Sequence, residues 1–111
     1  MSLPTELLKG TLKPLILALL NEGDQYGYQV IKNLKEKTDA VFVVGEGSIY
    51  PALHALEKKK LLKSYWKKQA EGPDRKYYKI TRRGQKELAT SKQQWHDFSG
   101  AVEKIYGLQH A

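Results

Sequence analysis

A basic segment between residues 58 and 83 contains the side chains of this sequence that are best suited to bind a partner. It holds eleven lysines and arginines against two acids, so its net charge is +9 in a chain whose total is +7. Four aromatic residues stand among these cations, around the turn-forming pair Gly72-Pro73. Cations that neutralise backbone phosphates release condensed counterions, so the segment predicts a surface for a polyanion. Nucleic acid is favoured over a membrane, which requires the charge on one face of an amphipathic helix.

The other reactive residues lack the types and spacing needed for catalysis or for a metal site. His54, His96 and His110 are far apart, and neither a cysteine nor clustered carboxylates join them. Ser48 has no adjacent pair of histidine and acid that would activate its hydroxyl. The segment 45–47 has the wrong length and context for a phosphate-binding loop. We therefore expect a protein that is not an enzyme and requires no cofactor.

Length and composition set the scale of the fold that positions these residues. A chain of 111 residues, 41 % of them hydrophobic, forms one domain, or one domain with an appended helix, around a modest core. Pairing with a second copy would bury further apolar surface. The lack of cysteine excludes disulfides and is compatible with a reducing cytoplasm. The longest apolar run, residues 15–20, is too short for a signal peptide or a membrane span, so we expect a cytoplasmic protein without a membrane partner.

Three helices are predicted in the first half of the chain from apolar residues at helical spacing. Pro14 and Pro51 then fall in first turns, where the missing N–H is tolerated. The connector before the third helix contains the β-branched run 41–44, which is typical of a short strand. The predicted helices span residues 11–22 with Thr11 as N-cap, residues 24–37 with Asp24 as N-cap, and residues 47–60.

The second half of the chain predicts a hairpin and a long helix. Residues 63–69 and 75–80 form two strands joined by the Gly72-Pro73 turn, and Thr81 caps a helix that runs to about Tyr106. Three helices followed by a hairpin are the order of a winged helix-turn-helix. The predicted fold class is mainly α with a small β-hairpin. It divides into a winged helix-turn-helix DNA-binding domain at residues 1–80 and a C-terminal dimerisation helix at residues 81–111.

Dimerisation is predicted from the apolar spacing of that last helix. Leu88, Trp95 and Val102 are seven residues apart, and Ser91, Phe98 and Ile105 repeat the same spacing. Together they form a seam of the coiled-coil type, which needs a facing helix. The predicted dimer interface consists of Leu88, Trp95, Phe98, Val102 and Ile105.

The third helix carries the predicted reading surface. In a winged helix-turn-helix this helix enters the major groove, while the hairpin lies along the neighbouring backbone or minor groove. The side opposite its apolar stripe is neither strongly hydrophobic nor bulky. Such a side fits into a DNA groove, and it is equally expected of an ordinary solvent-exposed helix face. The adjacent basic segment favours the DNA interpretation. The residues outside the stripe are Ser48, Tyr50, Pro51, His54, Ala55 and Lys58.

Three motifs of the chain resemble the PadR family of bacterial transcriptional regulators. The first motif is Tyr26-Gly27-Tyr28-Gln29, the second is the whole stretch from Gly47 to Glu57, and the third runs from Gly72 to Thr81 and is followed by Gly84. The second and third motifs are the specific ones, and the resemblance covers roughly residues 5–106. The single C-terminal helix resembles the short subfamily, and the tryptophans in the hairpin and the last helix resemble its multidrug-binding branch.

This resemblance implies a homodimeric repressor that binds a palindromic operator and is released by a small molecule such as a phenolic acid or a lipophilic drug. Transferred by motif, its DNA contacts fall on the third helix and on Arg75 and Lys76 of the hairpin, with Tyr28 as a further phosphate contact. Together with the other basic residues of this surface, the predicted DNA-binding set is Tyr28, Ser48, Tyr50, Pro51, His54, Lys58, Lys67, Lys68, Arg75 and Lys76.

Trp95 has two interpretations. A tryptophan on the seam is an ordinary interface anchor. The resemblance implies instead that paired tryptophans of two subunits form a stacking platform for a flat aromatic effector, and the predicted effector site is then Trp95, Phe98 and Leu15. We interpret Tyr65 and Trp66 as structural, with one side chain packed on the helical core and the other covering the hairpin.

A second hypothesis keeps the fold and changes the function. The chain would then be a winged-helix module that binds a small molecule or a protein, its basic hairpin facing an acidic partner, with no operator. Binding to random duplex DNA at low salt distinguishes the two hypotheses, since only the regulator requires it.

Overall fold

The structure, a computed structural model, describes residues 5–108, so His110 lies outside the described part. The order of elements is the predicted one, with a 3₁₀ turn and one short strand added. The elements are the 3₁₀ turn Thr5–Leu8, helix α1 at Leu12–Asn21, strand β1 at Gln25–Tyr26, helix α2 at Gly27–Lys37, helix α3 at Glu46–Lys58, strand β2 at Leu62–Lys67, strand β3 at Arg75–Ile80 and helix α4 at Arg82–Tyr106.

A single apolar core fixes the position of α3, the helix that carries the predicted reading surface. Ile16, Leu20, Val30, Ile49 and Leu53 are each 1 % exposed or less. Full burial of one such side chain stabilises the fold by about 1.5–3 kcal/mol. The buried residues of α3 are those that the helical spacing predicts, namely Ile49, Ala52, Leu53 and Leu56.

Helix α2 begins later than predicted, because Asp24 does not cap it. Gln25 and Tyr26 pair instead with Tyr78 and Tyr77 of β3 as the short strand β1. The buried Gln25 side chain anchors this strand, since its amide nitrogen donates to the Leu19 carbonyl at 2.8 Å. The helix then starts at Gly27, and the Tyr26 backbone N–H donates to Gln29 Oε1 at 3.1 Å.

The connector between α2 and α3 contains no strand, so the prediction for residues 41–44 is wrong. Asp39 and Ala40 adopt left-handed backbone conformations, and the Phe42 N–H donates to Thr38 Oγ1 at 3.0 Å. Phe42 packs partly against the core and Val44 is buried in it. Alternate apolar residues therefore anchor this loop to the core, and its backbone pairs with no neighbouring strand.

The three strands form one antiparallel sheet in the order β1-β3-β2. Strand β2 begins one residue and ends two residues before the predicted positions, and its register pairs Lys63 with Lys79 and Lys67 with Arg75. Since side chains alternate along a strand, Lys63, Tyr65 and Lys67 share the outer face of β2. We call the β2–β3 hairpin the wing.

Helix α4 begins where predicted and extends away from the core. Its N-cap is Thr81, whose Oγ1 accepts a hydrogen bond from the Gly84 N–H at 3.0 Å, and it stops at Gly107 in a left-handed conformation. Only Gly84 and Leu88 are buried among its described residues. Leu88 lies in the core of its own protomer, 5 % exposed, so little of its side chain is left for the dimer interface in which we predicted it.

Candidate nucleic-acid interface

The outward face of α3 presents the residues predicted to read DNA. Pro51, His54 and Lys58 are exposed, and Ser48 is half-buried near the start of the helix. Their positions follow from the apolar stripe on the opposite side, which faces the core. Tyr28, in the first turn of α2, is 59 % exposed.

Tyr50 differs from its neighbours because it is held by a close contact with α2. Its ring lies over Gly27, where an added Cβ would be 2.5 Å from Tyr50 Cε1. Glycine is therefore required at position 27 for the ring to keep this place. The half-buried Tyr50 side chain is fixed at the flank of the reading face.

The exposed cations of the wing are oriented by aromatic rings. The Arg75 guanidinium carbon lies 4.5 Å from the centre of the Tyr26 ring, and Lys67 Nζ lies 5.2 Å from the centre of the Tyr77 ring. Lys68 is exposed just beyond β2. Within residues 5–108, Lys67, Lys68 and Arg75 form no ion pair, so their charges remain available to an anion.

Lys76 is the one predicted wing contact that already has an acidic partner. Its Nζ lies 3.7 Å from Glu57 Oε1, and both side chains are about one-third exposed. The other oxygen of Glu57 accepts a hydrogen bond from the Ser64 hydroxyl. Glu57 thus connects α3 to both strands of the wing, and Lys76 helps to position the wing while offering less free charge than Arg75.

The prediction that either Tyr65 or Trp66 packs into the helical core is wrong, since neither side chain does so. Tyr78 fills that position and is 1 % exposed, while Trp66 is 67 % exposed and Tyr65 42 %. Residues 65 and 66 of β2 lie beyond the edge of the helical core. Tyr65 covers the outer face of the wing, where it stacks on Tyr77 with 5.8 Å between ring centres.

Two tyrosines of the sheet have perturbed acidities. The Tyr65 hydroxyl donates to Asp24 Oδ2 at 2.7 Å, and this hydrogen bond raises the pKa of Tyr65. Burial raises the pKa of Tyr78, partly opposed by the nearby Lys76 charge. Both side chains therefore remain neutral near neutral pH.

The reading face and the wing meet in one groove. A cavity of about 310 Å³ lies between α3 and the wing. Tyr50 and His54 line it from α3, and Trp66, Arg75 and Lys76 line it from the wing. The structure therefore brings four of the ten predicted contacts together in this groove, namely Tyr50, His54, Arg75 and Lys76, and the other six lie outside its lining.

Two further cations, which were not among the predicted contacts, flank α3 at a second cavity. Lys9 and Lys13 line a second cavity of about 450 Å³, whose wall also includes Ser48 and Pro51 of α3. Both lysines are exposed. Their spacing in the sequence does not indicate that they lie near α3, because only the packing of α1 against α3 brings them beside the reading face.

Comparison with known proteins identifies the family. Residues 16–90 match the family described as "Transcriptional regulator PadR-like family". This chain belongs to that family. Its members are DNA-binding transcriptional regulators and not enzymes, so the expectation that the chain is no enzyme is confirmed.

Solved structures of PadR-like regulators share the whole fold. A transcriptional regulator from Clostridium thermocellum is 35 % identical with a TM-score of 0.83, and the match covers 89 % of this chain and 96 % of that one. A PadR-like regulator from Bacillus cereus is 36 % identical with a TM-score of 0.79, covering 94 % and 99 %. A PadR family regulator from Eggerthella lenta is 33 % identical with a TM-score of 0.81, covering 92 % and 87 %. The predicted fold class is confirmed.

The C-terminal half of α4 in this PadR-like chain exposes most of the predicted seam. Trp95 and Phe98 are 56 % and 61 % exposed, and their ring centres are 5.9 Å apart. Ile105 is 86 % exposed and Val102 is half-buried. Leu15, the third predicted effector residue, lies half-buried on α1, which packs against α4.

The described residues contain no group of three or more histidine and carboxylate side chains placed to hold a metal ion. Within residues 5–108, none of the helices combines the length and the apolar character required to span a bilayer.

Proposed function

We propose that this PadR-like regulator is a homodimeric repressor that acts in the cytoplasm on a palindromic operator. The observation that carries the proposal is the groove shared by α3 and the wing, lined by His54, Arg75 and Lys76. A reading helix and backbone-binding cations on one surface are what a winged helix-turn-helix needs to bind duplex DNA.

The dimer follows from the exposed seam of α4. Trp95, Phe98 and Ile105 are each more than half exposed in one chain. Burying a large apolar side chain contributes about 1.5–3 kcal/mol, so three such residues on each of two facing helices supply enough energy for association. A two-fold dimer sets two copies of α3 roughly 34 Å apart, one turn of DNA, which matches the two halves of a palindrome.

DNA contacts divide into two kinds in this proposal. Arg75, Lys67 and Lys68 bind phosphates and supply affinity that depends little on sequence, while Ser48, Tyr50, Pro51 and His54 of α3 face the base edges. Tyr28 and Lys58 bind the backbone at the two ends of the reading face. Lys76 belongs to the same surface, although Glu57 neutralises part of its charge.

Fluorescence anisotropy of the protein with duplex DNA tests this proposal. An operator is first selected from random duplexes by the protein itself. Arg75→Ala should then weaken binding to the operator and to random duplex alike, and should lower the slope of log K against log salt by about 1.8, since the dimer loses one phosphate contact in each protomer. Tyr50→Ala should weaken operator binding more than random binding. Absence of binding to random duplex at low salt would refute the proposal and favour the module that binds no operator.

We further propose that a flat aromatic or lipophilic effector binds at the dimer centre. Trp95 and Phe98 support this, since two large rings lie side by side on an exposed seam, and Leu15 lies on the adjacent helix α1. The chain has only two tryptophans, so Trp66→Phe makes Trp95 the single reporter. Planar dyes should quench its fluorescence and release the operator. Undiminished dye binding in Trp95→Ala would remove Trp95 from the site.

A further inference from the structure

The eleven cations of the basic segment form two groups in the folded chain. Those that face the groove or the end of the wing are Lys58, Lys67, Lys68, Arg75 and Lys76. The other six lie at the opposite end of the sheet, where α3 ends and α4 begins, and all of them are exposed. We call these six the base cluster, and they are Lys59, Lys60, Lys63, Lys79, Arg82 and Arg83.

We propose that the base cluster binds phosphates of the DNA that flanks the operator, outside the half-site read by α3. This inference rests on the proposed operator binding and adds to it a second contact surface. It predicts a longer footprint than the reading helix and the wing tip would give by themselves.

Backbone contacts bring the base cluster together. The Lys60 carbonyl accepts a hydrogen bond from Thr81 Oγ1 at 2.8 Å, which joins the end of α3 to the start of α4. Lys63 and Lys79 are directly opposite each other in the β2–β3 pair. Lys63 and Lys67 are four residues apart on β2, so about 13 Å of strand separates the base cluster from the wing cations.

Five of the six cations in the base cluster occupy positions that backbone conformation or neighbouring charge disfavours. Lys60 has a φ of 63°, a left-handed conformation that glycine adopts without strain. Like charges directly opposite on paired strands destabilise a sheet, as in the pair Lys63 and Lys79. Arg82 and Arg83 stand in the first turn of α4, where the helix dipole disfavours cations and no acidic residue is present.

Ion pairs do not compensate for this arrangement. Within residues 5–108, none of the six cations is part of a salt bridge. Positions where a sequence departs repeatedly from local preference are expected at functional sites. Six unpaired cations, five of them at strained or repulsive positions, therefore indicate a partner that supplies negative charge.

The composition of the base cluster favours phosphate over a membrane or a protein. The large apolar residues next to it, Leu61 and Leu62, are buried, so the described part of this surface offers no apolar face for a bilayer. The neighbouring aromatic side chains, Tyr65 and Tyr77, stack on each other, and the Tyr65 hydroxyl is bonded to Asp24, so neither ring is free to anchor a protein. The outer face of the wing sheet joins the cluster to the wing, because Lys63, Lys67, Arg75 and Lys79 share that face. DNA held at the wing can therefore continue along the same row of cations.

Two duplexes separate flank binding from operator reading. The short duplex contains only the selected operator, and the long duplex adds about ten base pairs, one helical turn, on each side. The variants are Arg82→Gln with Arg83→Gln, and Lys63→Gln with Lys79→Gln. A matched control, Lys35→Gln with Lys104→Gln, removes the same charge from exposed positions on α2 and α4.

We expect the base-cluster variants to bind the short duplex like the wild type and the long duplex more weakly. Each double variant removes two phosphate contacts per protomer and four per dimer, which lowers the salt slope on the long duplex by about 3.6. This is on the order of a hundredfold difference between 50 and 200 mM salt. The control variant should leave the salt slope unchanged on both the short and the long duplex. The melting temperature of the variants should stay the same or rise, since repulsion is removed, whereas a purely structural role of these side chains would lower it.

An equal loss of affinity for the short and the long duplex would overturn the proposal, because it would place the base cluster on the operator-reading surface. Unchanged binding to both duplexes would overturn it as well, by leaving these cations without a DNA contact. If the wild type bound neither duplex, the operator proposal itself would fail, so the failures of the two proposals are distinguishable.

Discussion

The substitution Gly27→Ala tests whether the position of Tyr50 contributes to sequence preference. An alanine Cβ would lie 2.5 Å from Cε1 and 2.7 Å from Oη of Tyr50. These distances are too short for either contact to persist, so the ring must move. The obstructed atoms are at the far end of a half-buried side chain, so the ring can rotate away from α2 without a shift of the core.

Two effects of opposite sign determine the stability of Gly27→Ala. Overpacking typically costs about 1–3 kcal/mol. Replacing glycine by alanine within a helix stabilises it by up to about 1 kcal/mol. We therefore expect a net loss of about 0–2 kcal/mol in the free energy of unfolding, measured by urea denaturation, and a protein that still folds.

The effect of Gly27→Ala on DNA should be larger for the operator than for random duplex. Each of the two half-sites loses one base contact, which costs about 1 kcal/mol at the lower end of the usual range, so the ratio of operator to random affinity falls about thirtyfold for the dimer. Anisotropy with both duplexes measures that ratio. Gly84→Ala is the control, since its Cβ would lie 2.2 Å from the Leu61 carbonyl oxygen and should destabilise the fold without changing the preference. If Gly27→Ala kept the wild-type ratio of operator to random affinity, the position of the Tyr50 ring would not contribute to sequence preference, and a reading role that depends on this position would be refuted.

Three further predictions follow from other contacts. Phe98→Lys with Val102→Lys should sediment as a monomer, because two cations then face their copies across the seam, and a persistent dimer would place the interface elsewhere. Glu57→Gln should steepen the salt slope on random duplex by up to about 1.8, since Lys76 loses its partner in each protomer of the dimer, and an unchanged slope would mean that Glu57 does not reduce the charge that Lys76 offers to DNA. The raised pKa of Tyr65 makes its hydrogen bond to Asp24 stabilising below the ordinary tyrosine pKa of about 10, and this stabilisation is lost as pH rises through the higher folded pKa. Wild type should therefore lose stability more steeply above pH 10 than Tyr65→Phe, and parallel curves would contradict the assignment.

The reading face could be predicted from the sequence because helical periodicity determines which side of α3 is buried. Ile49, Leu53 and Leu56 recur at helical spacing, and the structure buries all three. The N-cap at Thr81 could be predicted for a similar reason, since a capping hydroxyl is a local feature of the chain. Local patterns thus predicted the four helices, the two hairpin strands and the exposed side of α3.

Features that depend on the packing of distant segments could not be predicted. Strand β1 contains only two residues, and it exists because β3 offers them an edge. Lys9 and Lys13 come beside Ser48 only when α1 packs on α3. Trp66 lies outside the core because β2 extends past it, which a pattern of alternation along one strand does not reveal.

The division of the basic segment into two surfaces also requires the fold. In the sequence, Lys63 and Lys67 belong to the same run of charge as Arg82 and Arg83. Only the antiparallel pairing of β2 with β3 turns Lys63 toward Lys79 and the start of α4. The sequence therefore predicted a polyanion surface without showing that it has two parts.

Half-site spacing tests the central claim most directly, which is that two copies of α3 and the wing bind one face of DNA through a two-fold dimer. The selected operator is lengthened at its centre by five base pairs, about half a helical turn, and in a second duplex by ten. We predict that the five-base-pair insertion abolishes tight binding, because the half-sites then face opposite sides of the duplex. The ten-base-pair insertion should restore their common face, though at a greater separation. Equal affinity for the original and the five-base-pair duplex would contradict the claim.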